Sequence, residues 1–263
     1  MPRPDPVWYD PHRLGMNLLD RRSFLAGATC LGLPRRASGE ALQLFNGKNL
    51  DGFDTFLQSK GLNQDPEKVF QVHDGMIHIS GQEYGYVITR REYENYYLRA
   101  EFRWGEKTWP PREGRARDSG ILYHVTGENK IWPTSIEYQM IEGGTGDIIL
   151  VGDAGLTRDG ESKVRGRFNR FGKNPQAGAS PAKAGYRDPL VEYEKPHGEW
   201  NVLELYAGGD TVKYVVNGKT ANQGSGAKPS RGRILFQSEG AEVFFRNLEL
   251  RPLKSSGPAP GIR

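Results

Sequence analysis

Polar side chains set inside apolar strands are where this 263-residue sequence could do chemistry. An unpartnered polar group is costly in a core, so such a residue signals a face that lines a wet cleft. Over residues 135–142 (SIEYQMIE), strand alternation sets Glu137 and Gln139 on one face and Ile136, Tyr138 and Met140 on the other. The apolar face is core, and the opposite one presents a carboxylate able to move a proton. Over 119–125 the same alternation groups His124 with Leu122 and Gly120, against Ile121, Tyr123 and Val125. If these two strands are neighbours, His124 and Glu137 converge; the alternative is a solvated sheet face with an incidental carboxylate.

Glu101 and Arg103 alternate with Ala100, Phe102 and Trp104, offering a further acid and base, although an isolated Glu–Arg pair is more often a surface ion pair. Trp109 and Trp132 stand beside Pro110 and Pro133, where an indole can stack on a sugar ring or cap a core. Trp200, at a strand start, is assigned to the core, and His73 and His78 to a hairpin surface. No nucleotide-binding loop, metalloprotease helix or serine-hydrolase elbow is present, so spacing alone names no reaction.

The elements that must position these residues are strands. Gly at 34 and Pro at 17, with 36% hydrophobic and 11% aromatic residues, suit many short strands and turns better than helices. From Ala41 onward the apolar period is two. Segments 70–73 and 76–79 flank Asp74-Gly75, a two-residue hairpin turn, and Asn217-Gly218 closes a second hairpin after 212–216. Further strands are expected at 85–89, 96–104, 147–151, 201–206, 233–236 and 243–250. Together these predict an all-β, antiparallel jelly-roll sandwich in one domain over 41–253, followed by a flexible tail at 254–263. Residues 152–198, rich in Gly, Pro, Lys and Arg and without a period, read as a long excursion that is either a surface insertion or a cover for the site.

A net charge of +4 arises from 36 basic and 32 acidic residues, several of the basic ones within the first 36 positions. No later basic run interleaves with aromatics, so nucleic acid is not an expected partner. Cys30 is the sole cysteine, which excludes an intrachain disulfide and a Cys-based zinc site. Residues 19–33 (LDRRSFLAGATCLGL) place Arg21 and Arg22 before a short, weakly apolar run, the pattern of a twin-arginine export signal; a short amphipathic helix is the alternative. Residues 1–40 are thus expected to be an N-terminal extension and signal, with translation beginning at Met16 and cleavage near 37–41. The mature domain would be periplasmic or secreted, with no membrane partner after signal removal.

Several stretches, in order, carry a resemblance. LFNGKNLDGF at 44–53 is similar to LFNGKDLSGW, VHDGMI at 72–77 to VEDGVI, DSGILYH at 118–124 to NSGIFLR, and IEYQMIE at 136–142 to YEVQILD. EWN at 199–201, VNG at 216–218 and VFFRNL at 243–248 follow in the matching places. From about residue 42 to 253 the chain resembles the 3-keto-disaccharide hydrolase family, whose fold is a concanavalin A-like jelly roll. The resemblance implies an oxidised glycoside as carbohydrate substrate, cleaved where a C3 ketone acidifies the C2 proton. His124, Glu137, Glu142 and Asp147 would then supply base and acid, or ligate a divalent metal ion, with Gln139, Glu101, Arg103, Trp109 and Trp132 binding the sugar. Two rivals are an ordinary glycoside hydrolase, needing two carboxyls about 5–9.5 Å apart across a cleft, with Glu137 and Glu101 the pair to test, and a non-catalytic carbohydrate-binding module with an aromatic-dominated face.

The export reading makes a prediction. Changing Arg21 and Arg22 together to Lys should block export while the fold is kept, as read by fractionation and thermal melting; normal secretion of the double variant would refute a twin-arginine signal.

Overall fold

Alternating apolar residues build sixteen strands among the described residues, with no α-helix, in the computed structural model. The structure describes residues 41–170 and 192–253. The expected signal, Cys30, the tail and the centre of the 152–198 segment lie outside them.

In chain order the strands are β1 (Leu42–Gln43), β2 (Phe53–Leu57), β3 (Gly61–Leu62), β4 (Phe70–His73), β5 (Met76–Ile79) and β6 (Gly85–Thr89). Then come β7 (Tyr96–Thr108), β8 (Asp118–Thr126), β9 (Thr134–Ile141), β10 (Ile148–Arg158) and β11 (Glu161–Phe168). Last are β12 (Asn201–Gly208), β13 (Thr211–Val216), β14 (Lys219–Lys228), β15 (Arg233–Ser238) and β16 (Ala241–Pro252). One sheet runs β4-β5-β16-β7-β12-β13-β14, with β1 also on β16; the other runs β3-β2-β6-β15-β8-β9-β10, with β11 on the far side of β10. Every pairing is antiparallel, and β10 touches β14 at Gly155↔Lys228, linking the two sheets. The fold is an all-β, antiparallel jelly-roll sandwich.

A single apolar cluster fills the space between the sheets. Ile121, Tyr123, Ile136, Tyr138, Met140 and Phe236 enter it from the second sheet, and Ala100, Phe102, Leu203, Leu205, Tyr214 and Phe245 from the first. The rings of Tyr138 and Tyr214 stack at 4.0 Å with 4° between their planes. Tyr214 donates to the Glu137 backbone carbonyl at 3.2 Å, so the 2.9 Å contact between the Tyr123 and Tyr214 hydroxyls has Tyr123 as donor. Two phenolic groups are thereby satisfied without water in an apolar interior.

The expectation of a structureless excursion from residue 152 needs correcting. β10 continues to Arg158, turns at Asp159-Gly160 and returns as β11. Asp159 and Gly160 take φ of 51° and 80°, the same left-handed pair found at Asp74 (51°) and Gly75 (73°). The turn signal was therefore present in the sequence. β11 is exposed along nearly its whole length, so it carries no apolar period to accompany the turn.

Replacing Tyr214 by Phe removes the donor to Glu137 and the acceptor for Tyr123 while keeping the stacked ring. Urea denaturation should show a loss of about 1–3 kcal/mol with an unchanged m-value. An unaltered midpoint would mean that the hydroxyl chain contributes nothing.

Candidate active site

β8, β9 and β15 lie side by side, and their residues that point away from the sandwich core meet on the outer face of the second sheet. One half of that face is apolar: Tyr86, Ile88, Leu122 and Leu235 form a small separate cluster, with Phe56 against it. The other half is polar and still buried, with Asp118, Glu137, Gln139 and Gln237 each 5% exposed or less. A cavity of about 560 Å³ opens over this polar half, lined by Asp118, Glu137 and Gln139 from the strands and by Arg112, Trp132, Arg167 and Glu239 from the surrounding loops and hairpin.

Most of the charges there are paired. Asp118 binds Arg112 through one oxygen and accepts from Gln139 Nε2 at 2.5 Å through the other. Asp147 binds Arg167 at 2.6 Å and accepts from the Arg170 backbone amide at 2.8 Å, which aims Arg167 at the cavity. Asp147 is thus a positioning group. Glu137 differs: no described group hydrogen-bonds its carboxyl. Burial pushes its pKa well above the ordinary carboxylate range, the negative charge of Glu239 adds to this, and Arg167 opposes it. Glu239 is raised by burial, against the pull of Arg112, whose Nη2 is 3.9 Å from it. The charge on Glu239 thus favours the protonated form of Glu137.

The structure separates several residues that the sequence grouped. His124 sits at a bulge, where the β8–β9 register shifts between Tyr123 and Thr126, and takes a φ of 52°. The extra residue turns its ring to the core side, 4.9 Å from Tyr123 and 5.8 Å from Tyr96, with Nδ1 donating to the Pro229 carbonyl at 3.0 Å. Burial pulls its pKa down to about 4, so it is neutral at pH 7 and is no partner for Glu137. Glu142 accepts from the Arg117 backbone amide and guanidinium, both at 2.9 Å, and lies 3.4 Å from His197 Nδ1; it clamps strand ends and does not line the cavity.

Glu101 and Arg103 lie on the outer face of the first sheet. Glu101 is held by Arg99 and Arg246, each at 2.8 Å, and Arg103 covers the rings of Phe244 and Trp200 at 4.9 and 5.2 Å. The whole apolar core lies between Glu101 and Glu137, so they cannot form a glycosidase pair across one cleft. Trp200, expected in the core, is instead half-buried beneath Arg103 and Arg246. Trp109 donates from Nε1 to the Ser80 carbonyl at 2.9 Å and is structural. Trp132, 45% exposed, does reach the cavity, and its ring lies 6.0 Å from that of Tyr84.

Tyr84 belongs to a second cavity of about 480 Å³, which reaches the first at Glu239-Gly240 and across the Tyr84–Trp132 contact. The proposed metal set does not fit the structure, because His124, Glu142 and Asp147 are turned away or occupied, and no cluster of three or more His, Cys, Asp or Glu suited to a metal occurs among the described residues. The sequence reading passed over Arg112, Gln237 and Glu239. Gln237 carried the same signal as Glu137, a polar residue alternating with buried Ile234 and Phe236, but the expected strand stopped one residue short of it.

Comparison with known proteins adds three findings. No curated protein sequence matches the chain significantly. A protein from Parabacteroides distasonis ATCC 8503, provisionally named a glycosyl hydrolase, superposes with a TM-score of 0.53 at 22% identity, over 81% of this chain and 94% of its own. A second structure from the same organism, named likewise, gives 0.51 at 20% identity over 81% and 100%. At that identity the likeness supports the fold. The sequence itself matches the family model described as the 3-keto-alpha-glucoside-1,2-lyase-like domain over residues 40–251, and the chain belongs to that family of carbohydrate-active proteins.

Proposed function

We propose that the protein is an exported enzyme that cleaves glycosides whose C3 hydroxyl has been oxidised to a ketone. The observation that carries this reading is the buried, unpartnered Glu137 carboxyl sharing a cavity with Glu239 beside Arg112. In this reading Glu137, deeper and without a cation in contact, holds a proton, and Glu239, drawn back toward its charged form by Arg112, acts as the base.

The chemistry then needs no nucleophile. A base, Glu239, takes the proton from C2, which the neighbouring ketone acidifies. The C2–H electron pair becomes a C1=C2 double bond, the C1–O bond breaks, and Glu137 delivers its proton to the departing oxygen. The products are an unsaturated keto sugar and a free alcohol, and addition of water across C1=C2 would turn the net reaction into hydrolysis. Arg112 and Arg167 supply positive charge where the enolate oxygen forms. The adjoining cavity and the Tyr84–Trp132 rings offer a place for a second ring, in keeping with a disaccharide. Action outside the cytoplasm rests on the Arg21-Arg22 signal.

The test is Glu137→Gln, which keeps shape but cannot exchange the proton. Wild type should release free sugar from a 3-keto disaccharide and none from its parent, and the variant should turn over about a hundredfold more slowly. Its stability should move the other way. The folded-state pKa of Glu137 is raised, so wild type loses stability as pH rises from the ordinary glutamate value through the folded one. Glu137→Gln should therefore melt at or above wild type at pH 7, with the difference closing toward pH 4. Full activity of the variant would overturn the assignment, and sugar release from neither substrate by wild type would favour a binding module.

A further inference from the structure

Arg112 stands between two carboxyls and serves them unequally. Its Nη2 donates to buried Asp118, whereas it reaches Glu239 at 3.9 Å, beyond hydrogen-bond range. The stem of the arginine has little freedom to change that. The Arg112 backbone amide donates to the Trp109 carbonyl at 2.6 Å, and the Trp109 amide donates to the Gly240 carbonyl at 2.8 Å. A β-carbon on Gly240, the residue after Glu239, would come within 2.8 Å of Arg112 Cγ and 3.1 Å of its Cβ, so the stem runs directly over the Glu239-Gly240 turn. Only the guanidinium end can choose between the carboxyls. Asp118 captures it from β8, and the second Asp118 oxygen is itself held by Gln139 Nε2 at 2.5 Å.

We infer that Asp118 is a positioning residue, which draws the Arg112 guanidinium off Glu239 and so leaves Glu239 able to act as a base. The inference rests on the reading of Glu239 as the group that takes the C2 proton. A carboxylate in full contact with an arginine loses proton affinity, and a weaker base removes a carbon-bound proton more slowly. Burial acts in the opposite sense on Glu239, and Arg112 opposes burial. The other groups that face Glu239 are Glu137 from β9 and Tyr84 from the loop between β5 and β6. Glu137 is protonated on the proposed reading, and burial and the Glu239 charge push the Tyr84 phenol up, so it stays neutral at pH 7. What remains is the strength of the Arg112 contact, and Asp118 sets it. Taking the charge off Asp118 works in one direction only, because freeing the arginine and removing a nearby negative charge both favour the ionised form of Glu239.

The readout is the titration of Glu239 itself, which needs no turnover. Glutamate carboxyls labelled with carbon-13 are followed by NMR against pH, and the Glu239→Gln spectrum identifies the resonance. Asp118→Asn keeps the shape and an oxygen that can accept from Gln139 while releasing Arg112. The Glu239 midpoint should then fall by about one pH unit or more, the size expected when an arginine comes into contact. Arg112→Gln should raise the midpoint, and adding Asp118→Asn to it should move the midpoint far less than in wild type, because Asp118 acts through the arginine. A purely structural Asp118 would lower the melting temperature and leave the midpoint in place. Asp118→Ser, which also lacks the charge and can accept from Gln139, carries the same test if Asp118→Asn does not fold. On a 3-keto disaccharide the acid limb of kcat/KM should move down with the midpoint. A midpoint that stays or rises in Asp118→Asn, an equal shift with and without Arg112, or a limb that does not follow would overturn the inference. If the midpoints move as stated while wild type cleaves no 3-keto glycoside, the hold of Asp118 on Arg112 stands and the cleavage reading falls.

Discussion

Tyr138 lies flat on Tyr214 in the middle of the sandwich, and the orientation of the cleft follows from that contact. A strand has two faces and no intermediate setting, so a ring locked into the core at Tyr138 puts Glu137 and Gln139 on the opposite side. The same ring pair reaches the site through the backbone, since the Tyr214 hydroxyl donates to the Glu137 carbonyl. Slipping β9 by one residue would bury a carboxylate among Ile121, Phe102 and Phe245 and expose three apolar side chains. The cost of that error, several kilocalories per buried charge, is what makes the register secure.

Around that fixed strand, pairing decides which charges are free to react. Asp118, Asp147 and Glu142 each meet an arginine and at least one further donor, so their negative charge is already spoken for. Glu137 has burial without such compensation. A carboxyl in that position takes up a proton rather than stay charged, which is why the least supported acid in the cavity is the proton donor of the proposed reaction.

The sequence made one side of this picture readable. Ile136, Tyr138 and Met140 alternate without interruption, so the face of Glu137 could be assigned from period two alone, and Asp74-Gly75 marked its hairpin by chemistry that needs no tertiary context. His124 was misplaced because a single inserted residue inverts a strand's faces, and a bulge leaves no mark where both faces are already apolar, as at Ile121, Leu122 and Tyr123 before it and Val125 after it. β11 was missed because an exposed edge strand need not alternate. Arg112 and Glu239 were out of reach for another reason: both lie in loops, brought together by contacts such as Trp109 N–H to the Gly240 carbonyl at 2.8 Å, far apart in the chain.

On the proposed elimination, one wall of carboxyls would be enough. A displacement at C1 needs an acid on one side of the ring and a nucleophile or activated water on the other, hence two carboxyls facing across a cleft. Glu101 was the candidate for the second wall, and it lies beyond the core. Elimination moves a proton off C2 and another onto the oxygen at C1, two neighbouring atoms, so an acid and a base on one side of the ring can serve both. On the proposed reading Glu137 from the sheet face and Glu239 from the loop after β15, which line one cavity, would be that acid and base. On that proposal a preceding oxidation at C3 would make a one-sided site chemically sufficient, because without the ketone the C2 proton is far too weakly acidic for a carboxylate to remove.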